Sequence, residues 1–207
     1  MGVDLRTELG NLDIYLFDQI HRGHVRPPAR ILDAGCGRGR NLTYFLRHGF
    51  EVWANDPNQD ALADAKAVAM NEIGVADDEH FRCEPIEDLE FENSSFDFII
   101  CNAVLHFARD VEHFDVMIHK LRDLLRPGGR AFCRLASDIG VEVELPHVGG
   151  KGERWRRFPD ETEYFLVDLE FLLDRTQRLK ATIADPIKTV NVQNRRWMST
   201  WVWTRDT

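Results

Sequence analysis

The sequence ILDAGCGRG at residues 31–39 joins an apolar run to a turn with glycine at every second position. Because glycine has no side chain, such a turn lets a ligand lie against bare backbone N–H groups at the start of a helix. The pattern G-x-G-x-G differs from the G-x-G-x-x-G spacing of dinucleotide-binding proteins, which argues against NAD and FAD. The acid Asp33, two residues before the first glycine, suits a ligand with an ammonium or sulfonium group. The stretch therefore predicts a site for a cationic, amino-acid-bearing cofactor.

On both sides of this turn, short apolar runs alternate with longer amphipathic ones. Alternation of strands and helices over this length predicts an α/β fold, in which a parallel sheet carries helices on both faces. In such a sheet the ligand lies at the carboxyl ends of the strands. Strands are predicted at residues 30–33, 51–55, 80–83, 96–102 and 130–135, and helices after residue 39 and over 59–73, 111–125 and 161–175.

Both ends of the chain extend this core. Apolar residues at helical spacing over 5–21 predict an N-terminal cap helix. Near the other end, segments 182–191 and 196–204 alternate like the two arms of an antiparallel hairpin, which brings the mostly parallel sheet to seven strands. The tryptophans of the second arm are expected to pack in the core, and the alternative is a dimer seam.

Charge and cysteine content narrow the class of protein. The chain has 26 Lys and Arg against 35 Asp and Glu, a net charge of −9, which disfavours DNA as a partner because phosphate binding needs clustered cations. Its 4 cysteines lack the spacing of a zinc site, so no metal is expected. With no recognisable secretory signal or membrane-spanning run, the sequence predicts a cytoplasmic protein without a membrane partner. We expect one domain over 1–207, with the cap helix in 1–28 and a lid or substrate loop over 136–162.

Further stretches match one family in order and spacing. The glycine turn resembles motif I of the class I S-adenosylmethionine-dependent methyltransferases, and Asp56 stands at the end of the second strand, where these enzymes place an acid. The resemblance covers residues 30–135 and implies a Rossmann-like sheet, with S-adenosylmethionine as cofactor and S-adenosylhomocysteine as product. A short run at 37–41 is similar to that of tellurite-resistance methyltransferases. The other matching motifs are EPIEDL at 84–89, FDFIICNAVLHF at 96–107 and LLRPGGR at 124–130.

The resemblance also implies roles for individual residues. Asp56 is expected to accept hydrogen bonds from both ribose hydroxyls, and it also stands where it can cap the following helix. Ile86 is expected to lie against the adenine, and either Glu84 or Glu87 to reach its amino group. The expected cofactor-binding residues are Asp33, Gly35, Cys36, Gly37, Asp56, Pro57, Ile86, Glu87 and Asn102.

For the acceptor, the resemblance implies a small-molecule nucleophile methylated by in-line displacement. His106, just past the fourth strand, is the candidate catalytic base because an imidazole titrates near neutral pH; the alternative is a histidine bonded to backbone at a helix start. His106, His147 and Trp155 are the candidate substrate contacts. The cationic run at 154–157 either closes over an anionic or planar substrate or is a solvated charge run.

Other functions stay open at this point. Methylation of a protein or RNA would require a basic groove, and a chain with intact cofactor residues can also bind S-adenosylmethionine without catalysing transfer. A dehydrogenase is disfavoured by the glycine spacing, and both a monomer and a homodimer fit the sequence. The remaining histidines, which stand outside the motifs and are expected at the surface, are His21, His24, His48, His80, His113 and His119.

Overall fold

A computed structural model describes residues 4–207, so the first part of the predicted 1–28 cap segment, residues 1–3, lies outside the described residues. Two short 3-10 turns, Ile86–Asp88 and Leu105–Phe107, follow the third and fourth strands. The helices are α1 (Leu5–Leu9), α2 (Ile14–His21), α3 (Leu42–Arg47), α4 (Gln59–Ile73), α5 (Val111–Leu124) and α6 (Leu169–Arg178). The strands are β1 (Arg30–Ala34), β2 (Glu51–Asn55), β3 (Phe81–Arg82), β4 (Phe96–Asn102), β5 (Leu125–Ala136), β6 (Trp155–Arg157), β7 (Glu163–Phe165), β8 (Ala181–Ile183), β9 (Lys188–Val192) and β10 (Arg196–Arg205).

The main sheet has the order β3-β2-β1-β4-β5-β10-β8, and β9 pairs with β10 beyond β8. The neighbours from β3 to β5 are parallel, whereas β10 runs antiparallel to β5, β8 and β9. The predicted α/β, Rossmann-like fold with a mostly parallel sheet and a C-terminal antiparallel hairpin is confirmed. Because β2 and β4 flank β1, the strand order reverses beside β1, and this reversal is the usual ligand position in such sheets.

The sheet has eight strands in residues 4–207, one more than the predicted seven. The first predicted hairpin arm is two strands, β8 and β9, because the chain leaves the ladder at Asp185 and Pro186. Proline has no backbone N–H to donate to a neighbouring strand. Asp185, only 4% exposed, instead accepts a 2.6 Å hydrogen bond from Gln19 and pairs with Arg22 at 2.9 Å. These bonds tie the break to α2.

The N-terminal cap consists of two helices where the sequence predicts one over 5–21. Gly10 ends α1 with φ +58°, a conformation that glycine adopts without strain. Asp13 starts α2 by accepting a hydrogen bond from the backbone N–H of Tyr15 at 2.9 Å. The buried Asp13 carboxylate also pairs with Arg134 of β5 at 2.9 Å, and its amide donates to Asn41 at 3.2 Å. The cap is therefore anchored to the sheet and to the segment after the glycine turn.

Helices cover both faces of the sheet. On one face, α5 and α6 pack through buried residues that include Phe114, Leu121 and Leu172. On the other face, α2, α3 and α4 bury Leu16, Phe45 and their neighbours. Each large apolar side chain buried in this way contributes about 1.5–3 kcal/mol to folding. None of the helices in residues 4–207 is long and apolar enough to cross a membrane.

Strand β10 lies inside the sheet rather than at its edge. It pairs with β5 along one side and with β8 and β9 along the other. Trp197, Trp201 and Trp203 are fully buried, as the alternation predicts, and Val202 is buried on the opposite face. Both faces of β10 therefore belong to the core.

The segment over 136–162 contributes one strand, β6, to a second, smaller sheet. Strands β6 and β7 form this two-stranded antiparallel unit, with Trp155 opposite Phe165. The predicted helix from residue 161 therefore begins only at Leu169, where Asp168 caps α6 by accepting from the backbone N–H of Phe171 at 2.6 Å. The assignment of 136–162 as a lid or substrate loop stays a prediction.

Candidate cofactor-binding site

A cleft of about 890 Å³ opens at the carboxyl ends of β1, β2 and β4, beside the reversal in strand order. Its volume lies within the range of about 300–1,000 Å³ that is usual for small-ligand sites. Gly35, Asn55 and Asn102 line it where the three strands end. The cleft thus occupies the position that the strand alternation predicts.

The glycine turn forms one wall. Gly35 has φ +73°, and a Cβ there would lie 2.4 Å from a methyl carbon of Val104, so only glycine fits. Gly37 has φ +54° and lines the cleft, but a Cβ there would meet no atom within 4 Å. A side chain at Gly37 would project into open space beside the cleft. Glycine at this position therefore leaves room for a ligand to approach the backbone.

Asp56 is held by backbone N–H groups from two directions. Its Oδ2 accepts from Gly37 at 2.9 Å, and its Oδ1 accepts from Asn58 at 2.9 Å. Asn58, not Asp56, is the residue that caps α4, because its side chain accepts from the N–H of Ala61. A carboxylate has room for about four hydrogen bonds, so Asp56 keeps acceptor sites for a ligand. The neighbouring Pro57 also lines the cleft.

Polar groups without partners lie at and below the floor of this cleft. Both side-chain atoms of Asn102 are buried and unpartnered, and Asn102 lines the cleft. Asp33 lies deeper, is only 1% exposed, and has no hydrogen-bond partner on either oxygen. Burial raises the pKa of Asp33 to about 7, and the nearby Arg40 partly offsets this rise. Buried polar groups normally have partners, so this end of the cleft fits a ligand rich in hydrogen-bond donors, such as an ammonium.

The opposite end of the cleft is lined by apolar residues and one acidic residue. Ile86 is buried and lines the cleft beside Glu87, whereas Glu84 is not among the lining residues. Glu87 Oε1 accepts a 2.7 Å hydrogen bond from His113 Nε2. Burial by itself would raise the pKa of Glu87, but the hydrogen bonds from its own amide and from His113 bring it below its usual value. Of the two glutamates left open above, Glu87 is the one placed at the cleft.

His106 is buried and does not line the cleft. Its Nδ1 accepts from the backbone N–H of Ala136 at 3.2 Å, and its ring packs against Phe107 and Tyr164 with 4.5 Å between ring centroids. Burial lowers the pKa of His106 to about 3, and the charge of Arg196 acts in the same direction. With Nδ1 bonded to the backbone, this placement matches the alternative of a backbone-bonded histidine and gives no support to a base at this position.

The candidates in the 136–162 segment also lie outside the cleft walls. His147 is exposed and contacts Arg156 at 2.9 Å. Trp155 is 8% exposed, and its Nε1 donates to the carbonyl oxygen of Arg109 at 2.9 Å. The structure therefore does not bring His106, His147 and Trp155 together around the cleft.

The cations of residues 154–157 have partners within the chain. Arg154 pairs with Asp168 at 3.0 Å, and Arg157 pairs with Glu163 at 2.8 Å. Arg156 bonds to backbone carbonyl groups and to His147. Because acidic partners offset two of the three cations, the run as a whole is not a free basic surface.

Several lining residues were not among those expected from the sequence, and three of them are His113, Met117 and Phe107. His113, expected at the surface, lines the cleft together with Met117 one helical turn later, and Phe107 lines it while 56% exposed. The spacing i, i+4 of His113 and Met117 places both on one face of α5, which is a signal that the sequence does contain. Nothing in the sequence singles out Phe107. No cluster of three or more metal-binding side chains occurs within residues 4–207.

The comparisons with known proteins agree with this geometry. Residues 32–133 match a family whose description is "Methyltransferase domain", Methyltransf_11. Together with the strand order and the glycine turn, this match supports the assignment to the class I S-adenosylmethionine-dependent methyltransferases that the sequence motifs predict.

Two curated methyltransferases are similar in sequence to part of this chain. A malonyl-[acyl-carrier protein] O-methyltransferase of Enterobacter lignolyticus is 33% identical over 129 residues, covering 58% of this chain and 47% of the relative. A ubiquinone biosynthesis O-methyltransferase of Xanthomonas axonopodis is 34% identical over 124 residues, covering 59% of this chain and 49% of the relative. The chain thus spans about half the length of these relatives.

Solved structures show the same fold. The 1,6-didemethyltoxoflavin-N1-methyltransferase of Burkholderia thailandensis, solved with 1,6-didemethyltoxoflavin and S-adenosylhomocysteine, has a TM-score of 0.70 at 22% identity, covering 99% of this chain and 82% of that one. A S-adenosylmethionine-dependent methyltransferase of Methanosarcina mazei has a TM-score of 0.70 at 19% identity, covering 90% and 97%. At these identities the likeness establishes the fold alone.

Proposed function

We propose that this chain binds S-adenosylmethionine in the cleft and transfers its methyl group to a small-molecule nucleophile. The observation that carries the proposal is the Asp56 carboxylate, fixed by two backbone N–H groups beside the glycine turn and left with free acceptor sites. The match to the methyltransferase domain and the methyltransferase names of the relatives support the same reaction.

Each part of the cleft suits one part of the cofactor. Asp56 would accept from the ribose hydroxyls, and Ile86 and Glu87 would contact the face and the amino edge of the adenine. At the other end, Asn102 and the deeper Asp33 would provide acceptors for the methionine ammonium. Gly35, Cys36 and Gly37 of the glycine turn and the ring of Pro57, which all line the cleft, would complete the contact surface.

The bound cofactor supplies a methyl carbon that an adjacent sulfonium charge has already activated. The contribution of the chain is to hold an acceptor in line with that carbon and to keep water away. Val104 and Phe107, which line the cleft just after β4, provide the apolar surface for this task. Because His106 is buried and bonded to Ala136, we infer an acceptor that ionises without a protein base, such as a thiol or an acidic phenol.

A small acceptor is favoured over RNA by the pairing of the cationic run. Arg154 and Arg157 are bonded to acidic side chains of the same chain, so the segment does not offer the basic groove that a nucleic-acid substrate requires. The relatives named above are small-molecule and carrier-protein O-methyltransferases, and the solved neighbour contains a small heterocyclic substrate.

Calorimetric titration with S-adenosylmethionine and S-adenosylhomocysteine tests the proposal directly. The wild type is expected to bind both, and Asp56→Ala to bind each at least about 10-fold more weakly, since a hydrogen bond to a charged group contributes about 1.5–3 kcal/mol. Asp78→Ala is the matched control, because its carboxylate is 94% exposed and lies outside the cleft. Absence of binding by the wild type at millimolar ligand would overturn the proposal.

A further inference from the structure

One exposed aromatic ring lies in the cleft. The chain has 13 phenylalanines, 5 tryptophans and 3 tyrosines, all of which fall within residues 4–207. Of these, Phe107 alone is exposed, and the others are buried or mostly buried. Phe107 is 56% exposed and lines the cleft. Because burial of an aromatic ring contributes strongly to folding, a ring left open in a cleft offers its apolar surface to a ligand.

Phe107 lies between the two ends of the cleft. Asn102, where β4 ends, lines the proposed ammonium end, and His113, in the first turn of α5, lines the proposed adenine end beside Glu87. Phe107 belongs to the segment that joins these two residues. In S-adenosylmethionine the sulfonium group joins the amino-acid part to the adenosine part, so the methyl group is carried between the two ends. The exposed ring therefore lies on the wall beside which an acceptor has to be held.

The backbone under Phe107 is fixed by buried neighbours. Leu105 and Ala108, on either side of it, are fully buried. The N–H of Phe107 donates to the carbonyl oxygen of Val104 at 2.9 Å, which closes the 3-10 turn. The exposure of Phe107 is therefore imposed by a turn whose other side chains belong to the core.

Other aromatic rings fix the orientation of the Phe107 ring. Its centroid lies 4.5 Å from that of His106 at an interplanar angle of 63°, and 5.7 Å from that of Tyr164 at 65°. Ring pairs prefer such tilted arrangements over face-to-face contact. Tyr164 packs in turn on Phe158, which stacks on the buried Trp197. The Phe107 ring is thus oriented by contacts within the chain before a ligand binds.

We propose that Phe107 determines acceptor specificity and selects a planar aromatic hydroxyl or thiol, an inference that rests on the proposed methyl transfer in the same cleft. A flat ring contacts the face of Phe107 with all its atoms, whereas a saturated ring of the same size contacts it with only some of them. His106 and Tyr164 are positioning residues, because they act through the Phe107 ring.

An acceptor of this class also fits the absence of a base at His106, whose Nδ1 is bonded to Ala136. An aromatic hydroxyl or thiol ionises more readily than a saturated one, because its ring delocalises the negative charge, and its proton passes to water. The acceptor's lone pair forms the bond to the methyl carbon as the carbon–sulfur bond of the cofactor breaks, and the electron pair of that bond remains on sulfur in S-adenosylhomocysteine. Both opposite charges are lost, so the apolar surface of Val104 and Phe107 favours the step.

The test uses calorimetric binding of two probes to the protein saturated with S-adenosylhomocysteine. The probes are 2-naphthol and decahydro-2-naphthol, which share a carbon skeleton and a hydroxyl group but differ in planarity. The wild type is expected to prefer 2-naphthol, and Phe107→Leu to lower that preference by about 3- to 10-fold, the effect of one aromatic pair. Comparison of the preference between variants cancels the difference in acidity between the probes. Phe107→Tyr, which keeps the ring, is expected to retain the preference.

Phe91→Leu is the matched control, since this mostly buried ring lies outside the cleft, and its preference is expected to equal that of the wild type. A wild type that binds S-adenosylhomocysteine but does not prefer 2-naphthol, or an unchanged preference in Phe107→Leu, would overturn the inference and leave the proposed function standing. Failure of the wild type to bind S-adenosylhomocysteine would overturn both.

The positioning role is tested by the same preference. Tyr164→Leu is expected to lower it by about 2- to 3-fold while Phe107 is still present, and Tyr164→Phe, which keeps the ring, to restore it. An unchanged preference in folded Tyr164→Leu would overturn the positioning role of Tyr164. If that variant does not fold, Tyr164→Met, whose flexible side chain fills the same space, takes its place, with the same two outcomes.

Discussion

Replacing Asp33 by asparagine should make the stability of this protein less dependent on pH. Asp33 is 1% exposed, neither of its oxygens has a hydrogen-bond partner, and its pKa is raised by burial to about 7. The folded chain therefore keeps a proton on Asp33 up to about pH 7, whereas the unfolded chain releases it near pH 4. Between these values the folded state binds more protons, so this group lowers the free energy of unfolding as pH rises.

The size of the effect follows from the same numbers. A rise in pKa from 3.8 to about 7 corresponds to about 4 kcal/mol, since one pKa unit corresponds to about 1.4 kcal/mol. Relative to the wild type, Asp33→Asn should thus become more stable from pH 4 to pH 8 by up to about 4 kcal/mol, with the change concentrated below pH 7. The same variant should bind S-adenosylhomocysteine more weakly, because a buried carboxylate is the partner that an ammonium requires.

Urea denaturation followed by tryptophan fluorescence at pH 5, 6, 7 and 8 measures this difference. Asp78→Asn serves as the control, since an exposed acid should leave the difference from the wild type flat across these pH values. A stability difference between Asp33→Asn and the wild type that does not change with pH would refute the reasoning that an unpartnered, protonated carboxyl lies beneath the glycine turn.

Two further predictions concern the turn and the buried histidine. Gly35→Ala should lower the free energy of unfolding by about 2–4 kcal/mol, because its Cβ would lie 2.4 Å from Val104 and φ is positive. Gly37→Ala should lower it by only about 1 kcal/mol but should weaken ligand binding. Denaturation measures the first effect and calorimetry the second, and equal stability losses in the two variants would contradict the assignment. His106→Phe should cost about 1–3 kcal/mol by leaving the Ala136 amide without an acceptor, yet bind S-adenosylhomocysteine within about 2-fold of the wild type. A transfer rate that falls to background in folded His106→Phe would instead restore His106 as a base.

Much of the fold is predictable because local pattern and tertiary structure agree. The strands of the parallel core are short apolar runs bounded by turns, and the resemblance in motifs extends from residue 30 to residue 135, close to the matched 32–133. The break of the first hairpin arm was not predicted, since its cause is the contact of Asp185 with Gln19 and Arg22 from a distant helix. Such long-range polar contacts override the tendency of an alternating sequence to form one continuous strand, and no local sequence pattern indicates them.

The cofactor end of the site follows from motifs, whereas the acceptor end does not. Asp56, Ile86 and Glu87 stand in stretches that resemble the motifs of the family, and all three line the cleft. His106 occupies an equally suggestive position, but one rotation of its side chain toward Ala136 decides between a base and a packing residue. A sequence does not encode that rotation in any local signal. The partner of Glu87 on α5 is likewise a tertiary contact.

The interior position of β10 has a consequence for how the chain is made. During synthesis, β5 emerges about 60 residues before the strand that covers its free side, an interval that takes several seconds at ordinary translation rates. Until β10 has been synthesised, the hydrogen-bonding edge of β5 is unpaired. The core surfaces that cover the three tryptophans of β10 are also exposed until then. The nascent chain therefore carries an unpaired strand edge, the feature that makes a partly folded chain prone to aggregation, from the emergence of β5 until that of β10.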